Sequence, residues 1–589
     1  MGQLTQLTVG HQWLGTNLGY KPTSSWAIDP FGLSPTMPYL YKKSGLQNAL
    51  IQRVHYAVKK RLAQDKNLEF RWRQLWDTIG LSEILTHMIP FPGYGIQYSC
   101  GPDPYICYQF DFRRVWSWNP FARKYIPEEI TTENLVERAT TLLDQYRKKA
   151  QLYRSNVLLV PLGDDFRYTT SDEWDSQYNN YQRLFDYMNE NKLFHVDVKF
   201  GTLTEYFNLL RNDLDIDQLP SLSGDFFTYA DKDEDYWSGY YTSRPFHKRL
   251  DRVLIDALHG AEVISSIAWA SGFHYLHHDG ITGTARDNVV KDYAEKMIAA
   301  LTNLAHVTQQ SAVHLLRTGE DLILEPESVY LTLDQIRSHH TSIDDKQVLS
   351  FSDNDNFKRV VIYNSLPRKR ERVQTLFVST PFVKVTDSYG EPIQSQISPI
   401  WTESATFSDE HYELSFVVTV AGFGLNTYLI HSVKSDDKLS SRVNIANITL
   451  LNAKNQPYSV PGFENIQIVS SPQEFSIRQR PEISAHFSKS GLLKSLQTGD
   501  TTASVDMEFV TYETDSGGTY LFIPNKPDPD PIYTTDDHII HLVTGPILSR
   551  VFIQLPQVKQ TYTLFNSLGS DGLGLHVSNL FDITETNNF

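Results

Sequence analysis

Residues 24–33 read SSWAIDPFGL, a short apolar run that ends in an acid followed by Pro-Phe-Gly. We predict that SSWAID (24–29) is a buried strand and that NVLLVPLG (156–163) is a second one, ending at Asp164 and Asp165. In α/β folds, the carboxyl ends of the strands carry the active site. Singly, Asp29 is better explained as a turn cap and Asp164 as a helix cap. Together they favour a pair of catalytic carboxylates, as glycoside hydrolysis requires.

The periodicity of apolar residues divides the chain into three parts. Residues 1–235 alternate short apolar runs with helical patterns, including a predicted helix over 134–153, and indicate an α/β domain. Residues 236–325 indicate a helical domain, with Pro245 in the first turn of one helix and Thr284 capping a second. Residues 326–589 alternate with period two, as in antiparallel β-sandwiches. The predicted fold is therefore multidomain, with α/β, helical-bundle and all-β parts.

Composition excludes some partners and leaves others open. The chain has 589 residues and a formal net charge of −16, which argues against nucleic acid as a partner. No run approaches the ~20 apolar residues of a membrane helix, and the first residues lack a signal-peptide pattern. Cys100 and Cys107 fit a short disulfide loop or two free thiols equally well. The oligomeric state is not indicated by the sequence.

A second group of polar residues stands in HHDG, residues 277–280. His277, His278 and Asp279 offer metal ligands, but a histidine pair is more often structural. A metal site needs three or four ligands, so this motif requires partners from elsewhere, such as Asp29.

Several long motifs resemble one known family. They are WAIDPFGLSPTMPYLYKKSG, THMIPFPGYGIQYSCGPDP, NVLLVPLGDDFRY, SGDFFTYADKDEDYWSGYYTSRPF and HHDGITGTARDNVVKDYA. Together they resemble the class II α-mannosidases of glycoside hydrolase family 38, and within them the Golgi α-mannosidase II branch. The resemblance implies an α/β barrel, a helical bundle and β-sandwiches. It also implies a zinc-dependent retaining α-mannosidase that trims mannose-containing N-glycans in the Golgi lumen.

The resemblance further implies roles for individual residues. Asp29 matches the nucleophile and a zinc ligand, His278 another zinc ligand, and Asp165 the general acid/base. Retention then predicts that the two catalytic carboxyl groups lie ~5–5.5 Å apart. Cys100 and Cys107 match a family disulfide. The positions expected to contact substrate are Phe31, Arg53, Tyr94, Asp164, Arg167, Trp237, Asp279 and Tyr520.

The sequence also departs from the family pattern. The family's His-x-Asp-Pro-Gly-Trp motif, which supplies two of four zinc ligands, is not found. The His-x-Asp at residues 195–197 lacks Pro-Gly-Trp and is interpreted as a strand or loop. Leu33 and Gly95 replace a histidine and an aspartate that are usual in the Golgi branch, and WSWNPFARK (116–124) differs from the family's Cys-Pro-Trp stretch.

These departures leave two functions open. We expect residues 1–589 to be a fragment with two of the four zinc ligands, exposed barrel edges, and no copy of an active-site arginine that the family carries further on. Such a fragment is either part of a retaining α-mannosidase, whose activity without the missing ligands the sequence leaves open, or a non-catalytic carbohydrate-binding or scaffold product of the same family.

Overall fold

A computed structural model describes most of the chain. The described residues are 2–113, 127–265, 277–317, 324–339, 346–352, 356–401, 406–433, 443–453, 462–463, 466–470, 473–479, 483–532 and 538–582. The stretch 116–124 lies outside them. One compact unit comprises Met1–Arg244, Leu276–Ala285 and Ser516–Ile523, and the other comprises Pro245–Tyr275, Arg286–Asp515 and Pro524–Phe589. The three-part division into 1–235, 236–325 and 326–589 stays a prediction.

The first unit contains a mixed sheet with helices around it. Its helices are α1 (Gly2–Leu18), α2 (Thr36–Lys43), α3 (Tyr56–Gln64), α4 (Ile96–Ser99), α5 (Pro104–Tyr108), α6 (Leu135–Ala150), α7 (Ser171–Glu190) and α8 (Leu203–Asp213). Its strands are β1 (Ser24–Ala27), β2 (Asn48–Ile51), β3 (Glu69–Arg73), β4 (Ile84–Met88) and β5 (Ser221–Ser223). They form one sheet in the order β1-β2-β4-β3-β5, in which β1, β2 and β4 run parallel and β3 and β4 antiparallel.

The centre of this sheet is buried on both faces, as expected for parallel strands covered by helices. Every residue of β2 and β4 is buried, whereas β1, at the edge, alternates buried and exposed side chains. Leu50 and Ile51 are fully buried, and so are Phe70 and Trp72 of the neighbouring β3. The predicted strand at 24–29 is therefore confirmed as β1, and the predicted helix at 134–153 as α6, which begins at Leu135.

The second predicted strand, at 156–163, is wrong: in the structure, residues 157–164 belong to none of the described sheets. Leu158, Val160 and Leu162 pack instead against an apolar cluster formed largely by α6 and α7. The same three side chains line a cavity of about 1130 Å³, which contains neither Asp29 nor Asp165. These apolar side chains therefore contact helices and line a cavity, and the segment does not pair with a neighbouring strand. The stretch 195–197 is a loop, one of its two predicted alternatives.

The second unit contains two long helices, α9 (Pro245–Ser265) and α10 (Asp287–Leu316). They share a buried cluster that includes Leu250, Leu254, Met297 and Leu301. Pro245 is the first residue of α9, as predicted. The prediction that Thr284 caps the next helix is wrong, because α10 begins at Asp287 with Arg286 at the cap position.

The remainder of this unit is largely antiparallel β-structure, as predicted. The strands up to residue 451 are β6 (Val348–Leu349), β7 (Lys358–Tyr363), β8 (Arg370–Val378), β9 (Val383–Asp387), β10 (Pro392–Ile393), β11 (Ser395–Trp401), β12 (Phe407–Val420), β13 (Leu425–Ser432), β14 (Val443–Ile445) and β15 (Asn447–Leu451). Strands β6 to β14 build a four-stranded sheet, β10-β9-β13-β7, and a five-stranded sheet, β14-β11-β12-β8-β6, around a shared core, whereas β15 belongs to the six-stranded sheet that follows.

A second β-layer pair follows. Its strands are β16 (Ile466–Val469), β17 (Phe475–Gln479), β18 (Ile483–Phe487), β19 (Leu493–Thr498), β20 (Thr501–Ser504), β25 (Ile540–Thr544), β26 (Leu548–Gln554), β27 (Val558–Phe565) and β28 (His576–Phe581), with the short strands β21 (Val510–Thr511), β22 (Thr514–Ser516), β23 (Ile523–Pro524) and β24 (Asp530–Pro531) between them. The sheets β16-β15-β25-β26-β27-β28 and β17-β18-β19-β20 enclose the core between them. Among the described residues, no helix is long and apolar enough to cross a membrane.

Candidate active site

Three polar side chains meet at the carboxyl ends of the parallel strands in the first unit's sheet. Strand β1 ends at Ala27 and is followed by Asp29, and β2 ends at Ile51 and is followed by Arg53. Tyr94 lies on the loop after β4. Because β1, β2 and β4 are parallel, the residues after them collect at the same edge. Asp29 thus lies just past the carboxyl end of a strand, where the sequence placed it, and its neighbours there are Arg53 and Tyr94.

Asp29 is held in its ionised form. Its Oδ1 atom accepts hydrogen bonds from the guanidinium of Arg53, and its Oδ2 atom accepts one from Tyr94 Oη at 3.0 Å. Burial raises the pKa of the Asp29 carboxyl, but the hydrogen bond from His278, the charge and hydrogen bond of Arg53, and Tyr94 outweigh it, so that the pKa is lowered. With its side chain 18% exposed, Asp29 is an anion that remains open to a ligand.

The HHDG turn lies beside this carboxylate. His278 Nε2 is 3.5 Å from Asp29 Oδ2 and 3.9 Å from Asp279 Oδ2. The hydrogen bond to Asp29 is the main cause that raises the pKa of His278. Thr284 Oγ1 donates to Asp279 Oδ1 at 3.1 Å, which explains why Thr284 does not cap α10.

The same turn fits a metal ion by its donor set. One ligand atom each from His277, His278 and Asp279 lie within 4.8 Å of one another, and Asp29 stands next to His278. Imidazole nitrogens with carboxylate oxygens are donors that suit Zn²⁺. The alternative of a purely structural histidine pair is less favoured, because Asp29 supplies the partner that the motif lacked. The family resemblance implied a ligand role for His278 and none for His277, although both histidines are possible ligands by residue type.

Asp165 is joined to Asp29 through one phenol. Tyr94 Oη is 3.0 Å from Asp29 Oδ2 and 3.0 Å from Asp165 Oδ1, so those two oxygens are at most 6.0 Å apart, twice 3.0 Å. Burial, followed by the two carboxylates, raises the pKa of Tyr94, which stays protonated. Asp164 turns its Oδ1 back to accept from the Asp165 amide at 2.9 Å. The pair Asp29 and Asp165 is therefore close, and both carboxylates are within reach of solvent.

Aromatic rings surround Arg53 and Asp29. The ring centroids of Phe31 and Trp237 are 4.9 Å apart, and those of Trp237 and Tyr520 are 5.2 Å apart. The Arg53 guanidinium lies 4.8 Å from the Trp237 centroid. Tyr240, which the sequence analysis did not name, donates to the carbonyl of Phe31 at 2.5 Å. The aromatic-rich stretch DYWSGYY could have indicated Tyr240, because this tyrosine closely follows Trp237. Aromatic rings of this kind suit the apolar faces of a sugar.

Two further predicted features lie beside this site. Cys100 and Cys107 are joined in a disulfide, so the alternative of two free thiols is excluded. Arg167, predicted to contact substrate, has a side chain only 6% exposed and forms ion pairs with Asp111 and Glu173. The structure thus places Arg167 next to the loop of Asp165 and gives it protein partners.

The arrangement of paired carboxylates, metal-type donors and aromatic rings is that of a glycoside hydrolase site. Residues 2–232 match the glycosyl hydrolases family 38 N-terminal domain, and residues 235–315 match the alpha mannosidase middle domain. The chain belongs to glycoside hydrolase family 38, as the sequence motifs predicted.

Individual relatives agree with this membership. The chain is 41% identical to Alpha-mannosidase 2 of Drosophila melanogaster over 94% of its length, and 39% identical to Alpha-mannosidase 2x of Mus musculus over 98%. It covers 53% of each of those proteins, so the chain spans about half the length of these curated relatives. An α-mannosidase from Enterococcus faecalis V583 shares the fold, with a TM-score of 0.57 at 13% identity, covering 96% of this chain and 62% of that one.

Proposed function

We propose that the chain forms the catalytic part of a zinc-dependent retaining α-mannosidase, acting on mannose-containing N-glycans in the Golgi lumen. The observation that carries the proposal is the spacing of Asp29 and Asp165. Retaining glycosidases place their two carboxyl groups about 5–5.5 Å apart, whereas inverting ones leave about 6.5–9.5 Å for a water molecule. Tyr94 limits the distance between Asp29 Oδ2 and Asp165 Oδ1 to 6.0 Å, so the two carboxyl groups are close to each other, as a retaining mechanism requires. The mannose substrate is inferred from the relatives, which are named as mannosidases.

The chain's own residues can carry both halves of the reaction. In the first, an Asp29 oxygen forms a bond to the anomeric carbon while the glycosidic C–O bond breaks. The bonding electrons pass to the leaving oxygen, which takes the proton of Asp165. In the second, ionised Asp165 takes a proton from water, the water oxygen attacks the anomeric carbon, and Asp29 is released as a carboxylate.

Other residues bind and orient the sugar. Trp237 and Tyr520, which are partly exposed, offer rings to the pyranose, and the buried Phe31 packs behind Trp237. Arg53 keeps Asp29 ionised and fixed. Asp29 and His278, with His277 and Asp279 near them, would hold the zinc ion. When bound, zinc supplies a Lewis acid that orients sugar hydroxyls.

The test is hydrolysis of an aryl α-mannoside by the purified chain, with zinc added or removed by a chelator. We expect turnover that requires zinc, is abolished in Asp29→Asn, and is retained in the matched control Asp197→Asn, whose carboxylate lies on an exposed loop. Proton NMR of the first product should show α-mannose, the retained anomer. β-Mannose as the first product would contradict the assignment of Asp29 as nucleophile.

The second candidate is a non-catalytic mannose-binding function, favoured by a ring cluster around Arg53 that does not depend on metal ligands. The same experiment separates the two. Binding of a mannoside by calorimetry, unaffected by chelator and without turnover, would support binding alone, and zinc-dependent turnover would exclude it.

A further inference from the structure

The loop that presents Asp165 has an unusual backbone. It runs from Gly163 to Thr170, and two of its non-glycine residues have left-handed conformations: Phe166 with φ 53° and Tyr168 with φ 60°. Aromatic side chains rarely adopt this region, and they persist there only where neighbouring contacts hold them. Arg167 lies between the two. The conformation of this loop, and with it the direction of Asp165, therefore depends on what holds residues 166–168.

Arg167 provides the strongest contact of this loop. Its Nη1 and Nη2 atoms donate to the two oxygens of Asp111 at 3.0 and 2.5 Å, and its Nε atom donates to Glu173 Oε1 at 2.6 Å. The side chains are 6%, 18% and 4% exposed for Arg167, Asp111 and Glu173. A planar guanidinium that makes a two-point contact with a carboxylate fixes orientation as well as distance.

The Arg167 guanidinium and the Glu173 carboxylate are both held in their charged forms. Burial lowers the pKa of Arg167, but its two carboxylate partners outweigh this and raise it. Burial raises the pKa of Glu173, but Arg167 and the backbone of Tyr168 outweigh this and lower it. Removing Arg167 or one of its two carboxylate partners would leave a largely buried charge without its counter-charge. The three side chains therefore stabilise one another.

The two carboxylates stand on firmly held elements. The Asp111 amide donates to Tyr108 O at the end of α5, a helix that the Cys100–Cys107 disulfide ties down. Glu173 lies in the first turn of α7, and its amide donates to Thr170 Oγ1 at 3.4 Å. Arg167 thus links the loop of Asp165 to two helices at once.

We propose that Arg167 is a positioning residue, which through Asp111 and Glu173 holds the loop that aims Asp165 at the leaving oxygen. This inference rests on the proposed function. It differs from the expectation that Arg167 touches the sugar: within the described residues, its side chain is almost fully buried and its Nε, Nη1 and Nη2 atoms all donate to protein carboxylates.

The test uses the full chain with Arg167→Met and Arg167→Lys. The matched control is Arg550→Met, which removes another ion pair, with Glu413, whose side chains are 18% and 12% exposed. The substrates are 2,4-dinitrophenyl and phenyl α-mannoside: the first leaving group needs no proton, and the second depends on the general acid. Asp165→Asn is the reference, because loss of a general acid typically costs roughly 10²–10⁴-fold with a poor leaving group.

For Arg167→Met we expect kcat/KM to fall about 30-fold or more on the phenyl mannoside and less than about 3-fold on the dinitrophenyl mannoside, a pattern parallel to Asp165→Asn. Arg167→Lys should lie between, because a point charge cannot reproduce the two-point contact. Arg550→Met should leave the ratio of the two substrates unchanged. An equal loss on both substrates, or a rise in KM alone, would overturn the proposal and indicate direct sugar binding.

A second measurement is independent of activity. Hydrogen exchange of the amides in 163–170 should be at least about 10-fold faster in Arg167→Met than in the parent chain, and unchanged in Arg550→Met. If the parent chain lacks turnover, the proposed function fails while this measurement still decides the positioning role. Unchanged exchange in Arg167→Met would overturn the inference whether or not the chain is active.

Discussion

The ion pair between Arg53 and Asp29 should hold the active-site edge of the sheet together. Replacing Arg53 by Met keeps most of the side chain's length and removes the guanidinium. Asp29 would then lose its main counter-charge while it remains 18% exposed. The ring contact with Trp237, 4.8 Å from the guanidinium carbon, would be lost as well.

The expected cost follows from burial. Removing one partner of a fully buried ion pair costs about 3–5 kcal/mol, and an exposed pair contributes about 0–1 kcal/mol; because both side chains are partly exposed, we expect an intermediate cost of about 2–3 kcal/mol. The lost cation–π contact contributes up to about 1 kcal/mol of that. In the double variant Arg53→Met/Asp29→Asn, no unpaired charge remains. We therefore expect a coupling energy of about 2 kcal/mol between the two positions.

The assay is hydrogen exchange by mass spectrometry of peptides that cover β2 and β4, for the parent, both single variants and the double variant. A local loss of about 2–3 kcal/mol corresponds to exchange roughly 30- to 150-fold faster. The control cycle uses Arg61 and Asp65, an exposed pair with side chains 74% and 43% exposed, where coupling should stay below about 0.5 kcal/mol. Equal coupling in the two cycles would refute the argument that burial makes the Arg53–Asp29 pair strong.

Three further changes test other parts of the first unit. Burial lowers the pKa of His87 below 6.5, so just below pH 6.5 the folded state binds fewer protons than the unfolded state. The free energy of unfolding should therefore decrease as the pH falls below 6.5. His87→Gln should remove up to about 1.4 kcal/mol per pH unit from this pH dependence, measured by urea unfolding. Cys100→Ala/Cys107→Ala opens a bridge with a sequence separation of 7, and should cost about 2.5 kcal/mol, read as faster exchange in residues 96–108; unchanged exchange would contradict it. Gly95→Ala brings a Cβ atom to 2.5 Å from Asp164 Oδ2, so this exposed carboxylate should move, as a crystal structure of the variant would show. The free energy of unfolding, measured by urea titration, should change by less than about 0.5 kcal/mol.

The local sequence predicted the elements whose signals are local. Strand β1 follows from a short apolar run and helix α6 from a repeat of about 3.6 residues, and Asp29 follows from the end of a strand. The segment 156–163 was mistaken for a strand because its apolar residues face α6 and α7, a difference that periodicity cannot detect. Thr284 was mistaken for a cap because its hydroxyl donates to Asp279, a contact within the turn.

The family motifs predicted most of the site, but not every member. The family resemblance implied no ligand role for His277, and a pair of adjacent histidines does not say which nitrogen faces a ligand. Tyr229 was missed because its contact with Arg53, at 3.4 Å between Arg53 Nη1 and Tyr229 Oη, joins segments far apart in the chain. Proximity of this kind depends on the path of the chain between elements, and no local pattern encodes it.

One short turn, residues 238–244, contacts the two remote segments that carry Tyr520 and His278 and holds them near Asp29. The amide of Tyr240 donates to Tyr520 O at 3.2 Å, and Ser243 Oγ donates to Thr519 O at 2.7 Å. A Cβ atom on Gly239 would lie 2.1 Å from Leu521 O, so only glycine allows this approach. The guanidinium of Arg244 donates to Ala285 O at 2.7 Å and thereby holds the end of the segment that carries HHDG. This turn therefore binds the backbones of both segments. As a result, the ring of Tyr520 and the imidazole of His278 lie near Asp29, at the carboxyl end of β1.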